Sequence, residues 1–388
     1  MSTVPEVSSA AARRLPEPST STGHRWGAFC QLYVVALAGL AILVASQIRR
    51  FLPDRFLLDG RYIEQTLQMP DGILQPGDPF RGIALVYRYL GLAHAPNAAA
   101  MVALLVFTIG VFSALRWEEL ARLTPFGLGV VSASYLLALI YLAQYSKEFV
   151  SLGIAVLVLL LPRTRWAELL IVLAMLAYAA NMRPYWAIVA GLYVAGRLLL
   201  PRVRGLLPVA ALVFAFYVAL QIGFNTVLGE SLSYPRVSVN QVRADVNDSV
   251  GSLIVDVLPD TVLLQSPDAF VMFLSLVAPW PLVLGGSVTY LVMAGVLVVL
   301  WGLVAVSIRR LQRERAARSG RRDDTGRYLS APLAERSPRP ERAVALLLAL
   351  VVVQAIFEPD YGSYVKHLSP VLPLFLTLLP LRRKESVR

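Results

Sequence analysis

The sequence predicts an all-α, polytopic integral membrane protein of about ten transmembrane helices with two long extracytoplasmic loops. Three observations carry that prediction. The 388 residues are 57% hydrophobic and only 16% charged, against about 25% charged in soluble chains. Apolar runs such as "YVVALAGLAILVASQI" (33–48) and "YLVMAGVLVVLWGLVAVSI" (290–308) are long enough to cross a hydrocarbon core of roughly 30 Å. The runs also lack the strict alternation of a membrane barrel, and a backbone in lipid must satisfy its own polar groups, which favours helices.

Taken in chain order, residues 1–25, rich in Pro and Ser, are expected to be a disordered cytoplasmic tail and not a signal peptide. Residues 26–381 form the expected transmembrane domain. Its ten spans are read at 27–48, 98–115, 124–144, 149–162, 166–181, 185–200, 206–227, 286–308, 343–357 and 368–381. Outer loops occupy 49–97 and 228–285, a basic cytoplasmic loop 309–342, and a cytoplasmic tail 382–388. Within the first outer loop, "DGRYIEQTLQ" reads as an amphipathic helix with Asp59 near its N-cap. "RGIALVYRYLGL" reads as a second such helix after the turn signal "QPGDPF". Segment 269–284 is apolar but broken by Pro-Trp-Pro, and is read as re-entrant or interfacial. The single cysteine, Cys30, lies in the first apolar run and forms no intramolecular disulfide.

Charge sets the expected orientation. With the N-terminus inside and the spans alternating, the connections that face the cytoplasm collect the basic excess of a chain of net charge +11. The opposite topology would export the loop "RRLQRERAARSGRRDDTGR". That loop reads as an orientation anchor facing anionic lipid; no nucleic-acid partner is expected. Both termini are therefore placed in the cytoplasm.

The same layout gathers the mixed-charge connections outside. Of 36 basic residues only three are lysines, Lys147, Lys366 and Lys384, and the first two sit in short outward connections. Lysine is a compact charge that can hold phosphate; an interfacial snorkelling role is the plainer reading of each. Arg183, in "NMRPYW" with Tyr185, is either an aromatic-belt anchor or a clamp on a phosphate oxygen. "FEPDYGSYVKHLSP" (357–370) brings Glu358, Tyr364, Lys366 and His367 into one connection. In the first outer loop Asp54 and Asp59 are candidate general bases, with capping and solvation as the plainer reading. The second supplies Arg236 and Arg243, whose neighbouring Asp residues offer ion-pair partners.

The sequence carries no Walker loop, no GxGxxG after a strand, no HExxH, no Cys/His cluster and no GxSxG elbow. No metal or cofactor is expected. No internal repeat supports a two-halved transporter. Acids, phosphate-binding cations and aromatics at one mouth of a membrane domain suit a lipid-linked sugar. Its phosphate would lie at the interface, held by Arg and Lys as charge develops on the leaving group. A carboxylate or His would take the proton of the attacking hydroxyl.

In overall layout, and in the stretches "LLDGRYI" (57–63), "YSKEFV" (145–150) and "NMRPYWAI" (181–188), the chain resembles bacterial polysaccharide polymerases of the Wzy type. More distantly it resembles membrane glycosyltransferases of the GT-C class. The resemblance implies an enzyme that joins units from a polyprenyl-(pyro)phosphate-linked saccharide outside the cytoplasm, alongside polysaccharide-assembly proteins and in contact with membrane lipid. It further implies that Arg183, Arg236 and Arg243 engage the carrier's phosphates, and that Asp54 or Asp59 acts as base. The chain departs from the GT-C pattern in having no clear Asp-X-Asp in its first outer loop and no C-terminal soluble domain. A GT-C-like transferase of single sugars and a non-enzymatic transporter or flippase are the alternatives.

Overall fold

The computed structural model describes residues 20–69, 78–244, 254, 256–259, 261–319 and 339–382. Among them every regular element is a helix, with one isolated bridge between Leu123 and Leu381. The chain begins with α1 (Thr20–Ala45), followed by α2 (Asp54–Leu67) and α3 (Pro79–Tyr89), then α4 (Pro96–Ala114), the short α5 (Trp117–Leu120) and α6 (Pro125–Tyr141). Next come α7 (Glu148–Leu160), α8 (Arg165–Asn181), α9 (Trp186–Leu199) and α10 (Leu206–Gly223), which ends in a π-turn at Phe224–Leu228. The remainder holds α11 (Tyr234–Ala244), α12 (Gln265–Val277), α13 (Trp280–Leu284), α14 (Val288–Ser319), α15 (Arg339–Phe357), α16 (Tyr361–Leu368) and α17 (Leu372–Leu376).

Five stretches are long and apolar enough to cross a membrane: Arg25–Ala45, Pro96–Ala114, Leu206–Leu228, Val288–Arg315 and Arg339–Phe357. Nine of the ten runs read from the sequence are each a helix. Their starts follow local chemistry. Proline occupies the first turn of α4 and α6, where its missing N–H costs nothing. Thr124 and Thr164 cap α6 and α8 by accepting from the Gly127 and Ala167 amides at 3.0 and 3.1 Å.

The tenth run, 368–381, is not a helix. α16 gives way to a 3-10 turn at Ser369–Val371 and then to the five residues of α17. Pro370, Pro373 and Pro380 remove donors and break the ladder. The segment is nevertheless interior: Leu372 to Leu376 are all buried, and Gly110 of α4 lies so close that an added Cβ would stand 3.0 Å from Pro373 Cγ. Two other expectations shift. α2 starts at Asp54, so Asp59 sits mid-helix and caps nothing. The segment broken at Pro279 is two helices, the first of which, α12, buries Ala269, Met272, Phe273 and Leu276 against α10 and α15.

α15 is the central helix, buried from Glu341 to Ile356 apart from Leu348, and packed mainly on α9 and α12. Around it, α1, α8, α10 and α14 turn Leu32, Leu43, Leu173, Leu207, Ile222 and Val298 outward. An apolar face this continuous is suited to lipid.

The helix ends sort into two groups. One end gathers Trp26, 116–123, 163–168, Arg197, 203–205, 312–315, 339–342 and Arg382. There Trp26 Nε1 donates to the Leu123 carbonyl at 2.8 Å, Gln312 Nε2 to Val203 at 3.1 Å, and the Arg382 amide to Arg122 at 2.8 Å. The other end gathers α2, α3, 144–148, 181–185, α11, residues 254, 256–259 and 261–268, and 357–367, which is where the candidate site lies.

Candidate functional site

Two carboxylates organise the cluster, and consecutive residues at the start of α7 join them. Lys147 Nζ lies 3.1 Å from Asp59 Oδ2, and Lys366 Nζ donates to the same oxygen. One residue on, Glu148 Oε1 accepts from Arg183 at 2.7 Å and lies 3.1 Å from His367 Nε2. The other imidazole nitrogen, Nδ1, faces Glu358 Oε1. Arg183 also donates to the Tyr185 hydroxyl at 2.8 Å, and Tyr185 stacks on Phe357 with ring centroids 5.3 Å apart.

Each side chain is placed by a local cause. Asp59 belongs to an amphipathic helix whose buried face is Leu57, Gly60, Ile63 and Leu67. Gly60 allows a close approach there: an added Cβ would stand 2.7 Å from Gln144 Oε1 and 3.4 Å from the Tyr145 carbonyl, and Gln144 donates to the Phe56 carbonyl at 2.9 Å. That close approach brings Asp59 to the residues just after Gln144. α3, capped by Asp78 accepting from the Phe80 amide at 2.8 Å, lays the Phe80 ring under Lys147 Nζ at 3.8 Å. Glu148 is the first residue of α7, where a helix favours a negative charge. Its second oxygen accepts from Ser146 Oγ at 2.9 Å. Asp360 caps α16 by accepting from Ser363 N at 2.8 Å, which fixes Lys366 and His367 on the following turn.

The electrostatics divide the cluster. Burial alone would raise the Asp59 pKa, but Lys366 and then Lys147 outweigh it and hold the carboxyl below its ordinary value. Lys147 is pushed down, because burial outweighs Asp59 and Glu148. Burial would lower His367 too, but Glu358 and the bonds to both carboxylates outweigh it and raise the imidazole above its ordinary value. Two ammonium groups thus share one carboxylate oxygen, leaving a local positive excess at side chains 15–26% exposed. The deeper half is drier: Glu148 and Glu358 are 1% and 3% exposed, and Glu358 Oε2 has no partner.

Of the residues singled out in the sequence, the structure brings together Asp59, Lys147, Arg183, Tyr185, Glu358, Lys366 and His367. It does not bring in Asp54, which is exposed at the start of α2 and paired with Arg61. Arg236 is fully buried in a separate network, donating to the Ala355 carbonyl at 2.8 Å and pairing with Asp256 and Asp268. Asp268 also accepts from the Val257 and Leu258 amides at 2.9 Å each, so Arg236 pins residues 256–258 to the end of α15. The Tyr364 hydroxyl accepts from Trp301 Nε1 at 2.8 Å inside the bundle. The side chain of Arg243 lies outside the described residues.

Sequence reasoning missed Glu148, the residue that joins the two halves. Its signal was a lone acid opening an apolar run, beside a lysine. It also missed a second network at the opposite end. There Glu168 Oε1 accepts from Arg197 at 3.0 Å and Arg342 at 2.9 Å, and Glu341 accepts from Arg315 at 3.1 Å. Arg342, which the sequence places in a lipid-facing basic loop, is fully buried and also donates to the Leu161 and Pro162 carbonyls. Among the described residues, no group of three His, Cys, Asp or Glu side chains is arranged to hold a metal ion.

Compared with known proteins, the chain matches no family model, no curated protein and no solved structure.

Proposed function

We propose that the chain is a bacterial inner-membrane glycosyltransferase that polymerises saccharide units from a polyprenyl-(pyro)phosphate-linked donor outside the cytoplasm. In this reading the predicted spans cross the bilayer with both termini cytoplasmic, and the chain works beside polysaccharide-assembly proteins. One observation carries it: Lys147 and Lys366 converge on a single oxygen of Asp59, beside a buried Glu148–His367–Glu358 relay, at one end of an apolar helical bundle.

The chemistry follows from that arrangement. An arriving phosphate meets two ammonium groups that one carboxylate only half neutralises. As the glycosidic bond to the carrier lengthens, charge grows on the phosphate and the lysines stabilise it. Asp59, clamped and weakly basic, keeps the lysines oriented. Glu358 presents an oxygen, Oε2, with no partner to the proton of an attacking hydroxyl, while His367 steadies its other oxygen. Arg183 holds Glu148, and with it His367, in register.

The test is product length. Lys366→Ala should leave protein abundance unchanged and abolish long polymer. A ladder of normal length from that variant would remove the proposed site. A wild-type product one sugar longer than its acceptor would favour the single-sugar transferase instead.

Charged networks at both ends of α8, α9 and α15 favour a second reading, a transporter whose two networks act as alternating gates. Under it, Arg342→Met would change flux of a lipid-linked saccharide across vesicles, with no glycosidic bond formed by the purified protein.

A further inference from the structure

Below the polar cluster, α6 and α14 do not close on each other. A groove of about 420 Å³ runs between them, bounded by Gly129, Ala133 and Leu137 on α6, Gly295 and Val299 on α14, and Leu372 at the back. From Phe126 to Leu137 the α6 wall is about 16 Å long. At about 30 Å³ for a water-sized group, the groove holds on the order of a dozen methylene-sized groups in file. Gly129 and Gly295 give it its width: a Cβ added at either would meet nothing within 4 Å.

The groove leads to the site. Leu372 opens α17, one 3-10 turn beyond the helix that carries Lys366 and His367. Leu137 lies about one turn below Tyr141, whose ring packs edge-on, centroids 5.9 Å apart, against Phe56 on the helix that carries Asp59. A molecule lying in the groove therefore has its upper end close beneath a cluster with a positive excess. Its occupant needs an apolar chain and an anionic head. We propose that the groove between α6 and α14 binds the hydrocarbon chain of a long-chain lipid phosphate whose phosphate reaches Lys147 and Lys366. The inference rests on the lipid-phosphate donor reading and adds the place of the chain and the residues that shape it.

The experiment uses the full-length protein in nanodiscs with two photoactivatable probes, farnesyl phosphate and phosphatidylcholine, each with a diazirine on the chain. Farnesyl phosphate should label residues 126–137 and 292–300, and excess unlabelled farnesyl phosphate should suppress it. Gly129→Leu and Gly295→Leu, each placing a branched side chain in open space, should weaken farnesyl phosphate binding on the order of tenfold to a hundredfold. Elution as for wild type checks the fold, and Gly295→Ala should give an intermediate loss. Wild-type affinity retained in both Leu variants would overturn the groove and leave the phosphate site standing. No binding to the wild-type protein would overturn both. Equal, uncompeted labelling by the phosphatidylcholine probe would make the groove a seat for ordinary bilayer lipid. A crosslink from α6 or α14 to a second copy would make it a helix-packing face. Either result overturns the proposal.

Discussion

Replacing Lys366 with Met should separate binding from stability. Lys366 and Lys147 are held on one oxygen of Asp59, so the two ammonium groups stand about 5 Å apart or less. At an effective dielectric of about 20, their repulsion is about 3 kcal/mol. The attraction of Lys366 to Asp59 at contact distance is larger, about 5 kcal/mol at the same dielectric, so repulsion offsets more than half of it and about 2 kcal/mol remains in the resting protein. Lys366→Met removes both terms, keeps the stem, and leaves Asp59 with an ordinary partner in Lys147. Screening at a side chain still 21% exposed reduces that remainder, so folded-state stability should fall by no more than about 2 kcal/mol. Anion binding should not escape so lightly, because a charge-assisted hydrogen bond to phosphate is lost, worth about 1.5–3 kcal/mol, or roughly tenfold to a hundredfold in affinity. Thermal unfolding in nanodiscs and titration with pyrophosphate measure the two effects. A variant that unfolds as readily as one lacking a buried partner, while binding pyrophosphate normally, would show that Lys366 is a structural tie, and the argument from excess charge would fail.

Other outcomes follow from the same geometry. Arg183→Met should cost about 3–5 kcal/mol, since it strands a buried Glu148 carboxylate with only His367 and Ser146 as partners; the unfolding midpoint reads it. Arg342→Met at the opposite end should be similarly severe, because the guanidinium ties Glu168 to the carbonyls at the end of α7. His367 has a raised pKa, so its stabilising charge is fully present below the unfolded value of about 6.5 and is lost as pH rises through the folded value. Wild-type stability should fall across that window, and His367→Gln should flatten the fall. Gly110→Leu should destabilise by about 1–3 kcal/mol or more by driving α4 off Pro373 and Val156, in contrast to Gly129→Leu, which meets open space.

The helices were legible because hydropathy and capping are local properties. A run such as 206–227 announces itself whatever the rest of the chain does, and Thr124 or Thr164 needs only its next three residues to cap a helix. Where local signals competed, the stronger was visible but underweighted. The three prolines in 368–381 break what mean hydropathy alone would count as a span, and interior packing makes that apolarity necessary anyway. Lys147, Arg183 and Lys366 could be singled out because each interrupts apolar sequence at a helix end. Choosing between Asp54 and Asp59 could not be done locally. The two are five residues apart on one helix, and only the docking of Gly60 onto Gln144 decides which faces the lysines.

The partition of charge between the two ends has a physical reason that bears on function. A basic residue near a helix end reads the same in sequence whether it snorkels to water or pairs inside. Arg342 reads in sequence as part of a lipid-facing loop yet meets Glu168 across 174 residues of chain. What distinguishes the ends is the kind of cation and the further acceptors it reaches. At the Glu168 end the cations of the network are arginines: Arg197 and Arg342 share Glu168 Oε1, Arg197 and Arg315 also reach Glu341, and Arg342 takes the Leu161 and Pro162 carbonyls, so forked guanidinium groups tie α8, α9, α14 and α15 together. At the Asp59 end two lysines contend for one oxygen at a partly exposed position, while a buried carboxylate nearby keeps one oxygen unpaired. Unsatisfied charge of both signs, a few residues apart, is unfavourable for a resting structure and useful only to a ligand that brings an anion and a proton donor together. On the donor reading proposed above, a phosphate-linked sugar meeting an acceptor hydroxyl is such a pair, with the open oxygen of Glu358 and the Lys147–Lys366 pair as the two features it would engage.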